Sequence, residues 1–221
     1  MTYTLEVCVD SAASALAAKR GGADRLELCA DLIIGGTTPS LALVRLVKAE
    51  TGLPVRALLR PRFGDFCYDR YELAQMAETA AELVQAGADG IVTGVLTPEG
   101  ELDANALRPI YAAARAAAKA AGRPIVCTLH RAFDVCKDPF AALEAAKALN
   151  LGTILTSGQA ASAPAGASLL RRLVEAAGPD LEILVGAGVT PANLPALAAE
   201  TGAHAFHMSG KQVLDSRMTF R

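Results

Sequence analysis

Seven times along this chain a helix breaker stands just before a short apolar run, and the breaker alternates in kind. Gly22-Ala23, Gly87-Ala88, Gly152-Thr153 and Gly202-Ala203 precede one set of runs, and Pro54, Pro124 and Pro179 precede the other. Glycine closes a helix and turns the chain straight into a strand, whereas proline cannot continue the helix before it. The runs are "LEVCV", "RLELC", "VRALLR", "GIVTG", "IVCTLH", "TILTS", "LEILVG" and "HAFHM". Helix-period segments lie between them, at about Ser11 to Arg20, Pro39 to Glu50, 71–87, Asn105 to Ala121, Pro139 to Leu149, Ala167 to Ala177 and Pro191 to Ala199. A βαβα unit repeated in this way predicts an α/β fold, a TIM-type (β/α)8 barrel forming a single domain over residues 1–221. An open flavodoxin-like or Rossmann sheet is the alternative, and even spacing of eight strands favours closure.

The strand-to-helix loops are the longer ones and hold the unusual chemistry: "CADLIIGGTTPS", "RPRFGDFCYDR", "HRAFDVCKDP" and "HMSGKQ". Function is therefore expected at the C-terminal mouth of the barrel. Two strands carry the same Glu-x-Cys, Glu6-Val7-Cys8 and Glu27-Leu28-Cys29. Alternate strand residues share a face. A carboxylate turned toward the helix layer would be buried without water or partner at a cost of several kcal/mol, so Glu6 and Glu27 are expected inside the barrel. Cys8 and Cys29 then lie above them on neighbouring strands, close enough for their sulfurs to meet.

Strand three offers Arg56, Arg60 and Arg62 at one parity, and Arg60, with Arg62 beyond it, is the expected partner of the buried carboxylates. The same alternation turns Thr128 and His130 inward on strand five, and His207 with Ser209 on strand eight. Such groups can equally form an ion-pair network filling a barrel, and buried cysteine is common packing; it is their convergence that points to a site. Cys67 and Cys127 read as structural, Cys136, two residues past Asp134, as either, and His204 as a boundary residue. "GAGVTPANL", with Gly186 and Gly188 before a helix start, and "SGK" at 209–211 are candidates for binding an anion through backbone N–H groups, or are simply tight turns. "GGTTPS" reads as a helix start with proline at its first position.

A formal net charge of −2 argues against a nucleic-acid partner and leaves a metal ion or small molecule. The five cysteines form an odd set without a CxxC, which suits free thiols in a reducing compartment. No apolar run approaches the ~18 residues of a membrane span and no basic leader precedes one. The expected location is cytoplasmic, with no membrane partner.

The motifs "LEVCVDS", "GGADRLELC", "GGTTPS", "RPRFGDFCY", "HRAFD" and "LTSGQ", in this order and spacing, closely resemble the CutC family of copper homeostasis proteins, from about Thr4 to Arg221. The resemblance implies a TIM-type barrel, a cytoplasmic location and Cu(I) binding by the two strand-end cysteines, here Cys8 and Cys29; soft thiolates suit Cu(I). Two departures stand out. Phe63 occupies a position where the family usually has glycine, which predicts a narrower or more apolar mouth. The sequence also stops at Arg221, where members usually continue into a last helix, so an outer helix is expected to be missing and a homo-oligomer, a dimer, to cover the gap.

A two-thiolate copper site does not need Glu6, Glu27, Arg60, His130 and Asp134. The second reading is therefore a barrel enzyme with a small anionic or sugar-like substrate. A glutamate or His130 would act as acid or base, Arg60 as the anchor, and a divalent ion such as Mg, Mn or Zn would join Glu6 and Glu27. A third is a non-catalytic oligomeric scaffold.

Overall fold

The computed structural model describes residues 3–212 and 214–220. Eight parallel strands close into one barrel in chain order: β1 (Thr4–Val9), β2 (Arg25–Leu28), β3 (Val55–Leu58), β4 (Gly90–Thr93), β5 (Val126–Leu129), β6 (Thr153–Thr156), β7 (Glu182–Val185) and β8 (Ala205–Met208). Seven α-helices alternate with them: α1 (Ala12–Arg20), α2 (Leu41–Thr51), α3 (Arg70–Gln85), α4 (Ala104–Ala120), α5 (Pro139–Ala148), α6 (Ala167–Ala177) and α7 (Leu194–Thr201). The TIM-type barrel expected from the alternation is the fold observed.

Local chemistry sets the helix starts. Ser11, Ser40, Asp69, Asp103 and Asp138 each accept a hydrogen bond from a first-turn N–H, and Asp69 with Glu72 forms a capping box. Because Ser40 is the cap of α2, Pro39 precedes it and is not the first helical residue. The last helix begins later than Pro191 because Thr190 and Asn193 first exchange hydrogen bonds in a turn, with Asn193 also donating to the Gly188 carbonyl.

The main core lies between strands and helices, where Leu26, Leu28, Val44, Val47, Ile91, Ile110, Tyr111, Leu129 and Phe133 are sealed from solvent. The barrel interior is different: it carries Glu6, Arg25, Glu27, Arg56, Thr128 and Thr153, all buried. Gly90 makes this possible. A Cβ there would stand 2.8 Å from Arg56 Cγ and 2.9 Å from the Val126 carbonyl, so only glycine lets Arg56 cross to β5 and β6.

Among the described residues no helix follows β8, and the effect is local. Leu5 and Val7 of β1 and Met208 of β8 are only half-buried, whereas Val55, Ala57, Ile91, Leu129 and Ile154 on covered strands are fully buried. Leu214, Met218 and Phe220, beyond β8, are exposed.

Candidate functional site

The two sulfurs anticipated from Glu-x-Cys do meet. Cys8 Sγ lies 3.7 Å from Cys29 Sγ, and Cys29 Sγ lies 3.6 Å from Glu27 Oε2. The pairing of Cys8 with Glu27 across β1 and β2 sets Cys29 one inward step above its neighbour, so the thiols are offset along the barrel axis. These ligating atoms of Cys8, Glu27 and Cys29 all lie within 4.8 Å of one another.

Below the sulfurs stands a charge network. Glu6, 1% exposed, receives Arg25 Nε at 2.6 Å and His207 Nδ1 at 2.8 Å, with Arg56 Nη1 at 3.7 Å. Arg25 also holds Glu182 at 2.6 Å, and Arg56 donates to Thr153 and Thr128. The other nitrogen of His207 reaches within 3.8 Å of Glu27 Oε2. His207 therefore links Glu6 at the base to Glu27 and the thiols above.

Electrostatics divides the acids by role. For Glu6, burial would raise the pKa, but the His207 hydrogen bond and charge, with Arg25 and Arg56, hold it down at about 2. The hydrogen bond from Cys29 is the largest influence on Cys8; burial opposes it and His207 reinforces it, bringing the thiol down to about 5. Burial is the main force on Glu27, and the negative charge of Cys8 adds to it, pushing the carboxyl up to about 8. His207 loses through burial and gains more from Cys8 and the two glutamates, so it stays protonated well above its ordinary 6.5. At neutral pH the cluster thus holds a Cys8 thiolate beside an imidazolium, with Cys29 and Glu27 still carrying protons.

Other predicted residues stand elsewhere. Arg60 does not partner Glu27: its guanidinium donates to the carbonyls of Gly35, Gly36 and Gly64, and Arg56, level with Glu27 in the sheet, takes the lower position. Arg60, four residues further along the chain and past the end of β3, stands over the rim instead of beside the carboxylates. Arg62 points away from the interior to Glu72 and Asp65. His130 is buried at the end of β5, its Nδ1 accepting from the Ala132 N–H. Gly94 makes room for it, since a Cβ there would stand 2.8 Å from that ring nitrogen.

Asp134 is spent on the β6 loop, accepting from Thr156, Ser157, Gln159 and Arg131. Ser209 is exposed, unlike His207. The Gly186 N–H is bonded to the Thr156 carbonyl and so is not free for an anion; the Gly188 carbonyl serves Asn193. Phe63 is 65% exposed. A cleft of about 300 Å³ lined by Asp31, Thr37, Thr38, Arg60, Gln75 and Thr79 opens between loops and α3 and does not include the thiols.

Sequence reasoning missed Arg25 and Glu182. Both alternate with residues already taken as inward or apolar, Glu27 and Leu184, and parity alone could have found them.

The CutC family model matches residues 3–212. A family protein CutC of Vibrio vulnificus is 43% identical over 220 residues, covering 100% of this chain and 86% of the relative. A relative from Homo sapiens named copper homeostasis protein cutC homolog is 42% identical over 219 residues, covering 99% of this chain and 77% of its own length. A CutC crystal structure from Streptococcus agalactiae superposes with a TM-score of 0.85 at 29% identity, covering 93% of this chain and 98% of that one. A 2,3-dimethylmalate lyase, at TM-score 0.64 and 18% identity over 93% of this chain and 75% of that one, shares the fold alone.

Proposed function

The chain belongs to the CutC family, and from that premise we propose that it is a copper homeostasis protein that binds Cu(I) through Cys8 and Cys29 in a reducing cytoplasm. The observation that carries the reading is the 3.7 Å approach of two sulfurs beside the Glu27 carboxyl. A d¹⁰ ion bonds thiolate sulfur at about 2.3 Å. Cys8 and Cys29 would hold such an ion between their sulfurs, with the Glu27 carboxyl beside them. Two soft donors and one carboxylate suit Cu(I) before any hard cation.

The alternative divalent site at Glu6 and Glu27 has less support, because both Glu6 oxygens are taken by Arg25 and His207. Among the described residues no helix is long and apolar enough to cross a membrane.

An anaerobic titration with Cu(I) against a competing chelator is expected to reach one equivalent per chain, with Mg and Mn failing to displace it. Displacement by either hard cation at comparable concentration would transfer the site to the enzyme reading.

We also propose that a second copy covers the half-buried outer faces of β1 and β8. An isologous dimer of standard size buries about 1,600 Å². Sedimentation at micromolar concentration is expected to give a dimer that dissociates when Val7 and Met208 are replaced by lysine. A monodisperse monomer would remove this part of the reading.

A further inference from the structure

Among the described residues three buried side-chain polar atoms lack any hydrogen-bond partner: Arg60 Nε, Tyr68 Oη and His130 Nε2. They are neighbours. The Phe66 ring lies with its centroid 5.0 Å from the Arg60 guanidinium carbon and 4.7 Å from the His130 ring centroid. The charge of Arg60 acts on both the Tyr68 hydroxyl and the His130 imidazole. Three orphaned polar groups gathered in one place are a stronger signal than one, because each buried unpaired donor costs about 1–3 kcal/mol.

Arg60 adds a second anomaly. It is 8% exposed, yet among the described residues it forms no ion pair; its Nη atoms touch only backbone carbonyls. Buried cations are ordinarily matched by a carboxylate, and here no carboxylate among the described residues pairs with it. We infer that the mouth beside Arg60 binds a small monocarboxylate, which takes hydrogen bonds from Arg60 Nε, Tyr68 Oη and His130 Nε2 where Phe66 now lies.

The charge count selects the ligand class. Because His130 Nδ1 accepts the Ala132 N–H, its proton is on Nε2, a neutral donor. Burial and the charge of Arg60 hold the imidazole pKa down at about 3, so it adds no charge at neutral pH. The site therefore offers one positive charge and three N–H or O–H groups. A carboxylate presents one negative charge and two oxygens, whereas a phosphate dianion would bring an uncompensated charge into a buried place. Entry is through Phe66, whose side chain is half-buried while its backbone carbonyl is held by the Leu96 N–H at 2.9 Å. The carbonyl of Gly36, which Arg60 holds, belongs to a residue whose added Cβ would be 3.7 Å from Cys29 Sγ, so the site adjoins the thiols without sharing a residue with them.

The test is titration of the metal-free full chain with ¹³C-acetate, followed by calorimetry and by the imidazole nitrogen signal of His130. Saturable binding of one acetate per chain at millimolar concentration is expected, with a shift of the His130 Nε2 resonance. Tyr68→Phe should weaken it about tenfold and leave the fold intact. Arg60→Gln should abolish it, and the Cys8→Ser, Cys29→Ser double variant should leave it intact, separating this site from the copper reading. Absence of saturation at ~100 mM acetate would overturn the inference, since that is far above any millimolar constant. So would equal displacement by phosphate and chloride, or an affinity unchanged in Tyr68→Phe.

Discussion

Glu6→Leu is expected to lower the stability of the fold by about 3–5 kcal/mol, the cost of removing one partner from a buried charge network. Glu6 is the point at which Arg25, Arg56 and His207 meet, and leucine would leave three buried cations with one remaining carboxylate, Glu182, on the far side of Arg25. Glu27→Leu should cost much less, on the order of 1 kcal/mol. Glu27 is held protonated to about pH 8, and its side-chain neighbours are the Cys29 and Cys8 sulfurs and, at 3.8 Å, His207. Urea unfolding of the two variants at neutral pH gives the comparison. Equal losses would mean that Glu27 is a charged member of the network after all.

The same pair predicts the acid limb of the stability curve. The Glu6 pKa is lowered from 4.5 to about 2 by folding, so its contribution is complete above pH 4.5 and is lost as pH falls from there to about 2. That is on the order of 3 kcal/mol, which the Glu6→Leu variant should not lose. The raised pKa of His207 works in the opposite sense: its contribution is complete below 6.5 and is lost only as pH rises through the folded value above it. Between pH 5 and 8 two terms oppose each other. Glu27, raised to about 8, makes stability fall with pH, while Cys8, lowered to about 5, makes it rise. One proton leaves Cys8 while another stays on Glu27, so a nearly flat region is expected from about pH 5 to 6.5, and above it His207 adds a second falling contribution and stability declines.

Strand number, chain order and the meeting of Cys8 with Cys29 were legible in the sequence because each depends on local pattern: a breaker before a run, or alternation within a strand. Face can be read that way; height and partner cannot. Arg56 and Arg60 share a parity, but the register of β2 against β3 puts Arg56 beside Glu27 and carries Arg60 beyond the rim. His207 meets Glu6 across 201 residues of sequence, through closure of β8 on β1. Neither strand alone specifies that closure. Asp134 reads as part of a pocket because its loop adjoins a strand end, whereas Thr156 at the end of β6 and Ser157 just after it, 22 and 23 residues on, claim it through a loop geometry set by tertiary packing. Glu182 escapes such a reading because "LEILVG" looks apolar, although Glu182, the first residue of β7, has the same inward parity as Leu184.

Replacing Cys8 or Cys29 with serine is expected to weaken Cu(I) binding by more than the ~10- to 100-fold typical of losing an outer-shell partner, and the double variant should bind none at micromolar chelator-buffered Cu(I). A serine hydroxyl is a hard donor that stays protonated at neutral pH, so it replaces neither the softness nor the charge of a thiolate. The two positions need not be equal. Cys8 is already ionised, whereas burial and the neighbouring Cys8 and Glu27 keep the Cys29 proton in place, so binding must release a proton from Cys29 and tighten as pH rises. Glu27→Gln should alter Cu(I) affinity by less than about tenfold, since it exchanges a neutral carboxylic acid for a neutral amide beside two intact sulfurs. A double cysteine variant that kept wild-type affinity would place copper elsewhere. A Glu27→Gln loss as large as that of either cysteine would instead mark Glu27 as an ionised ligand, and a harder metal than Cu(I) would then be the better occupant of the cluster.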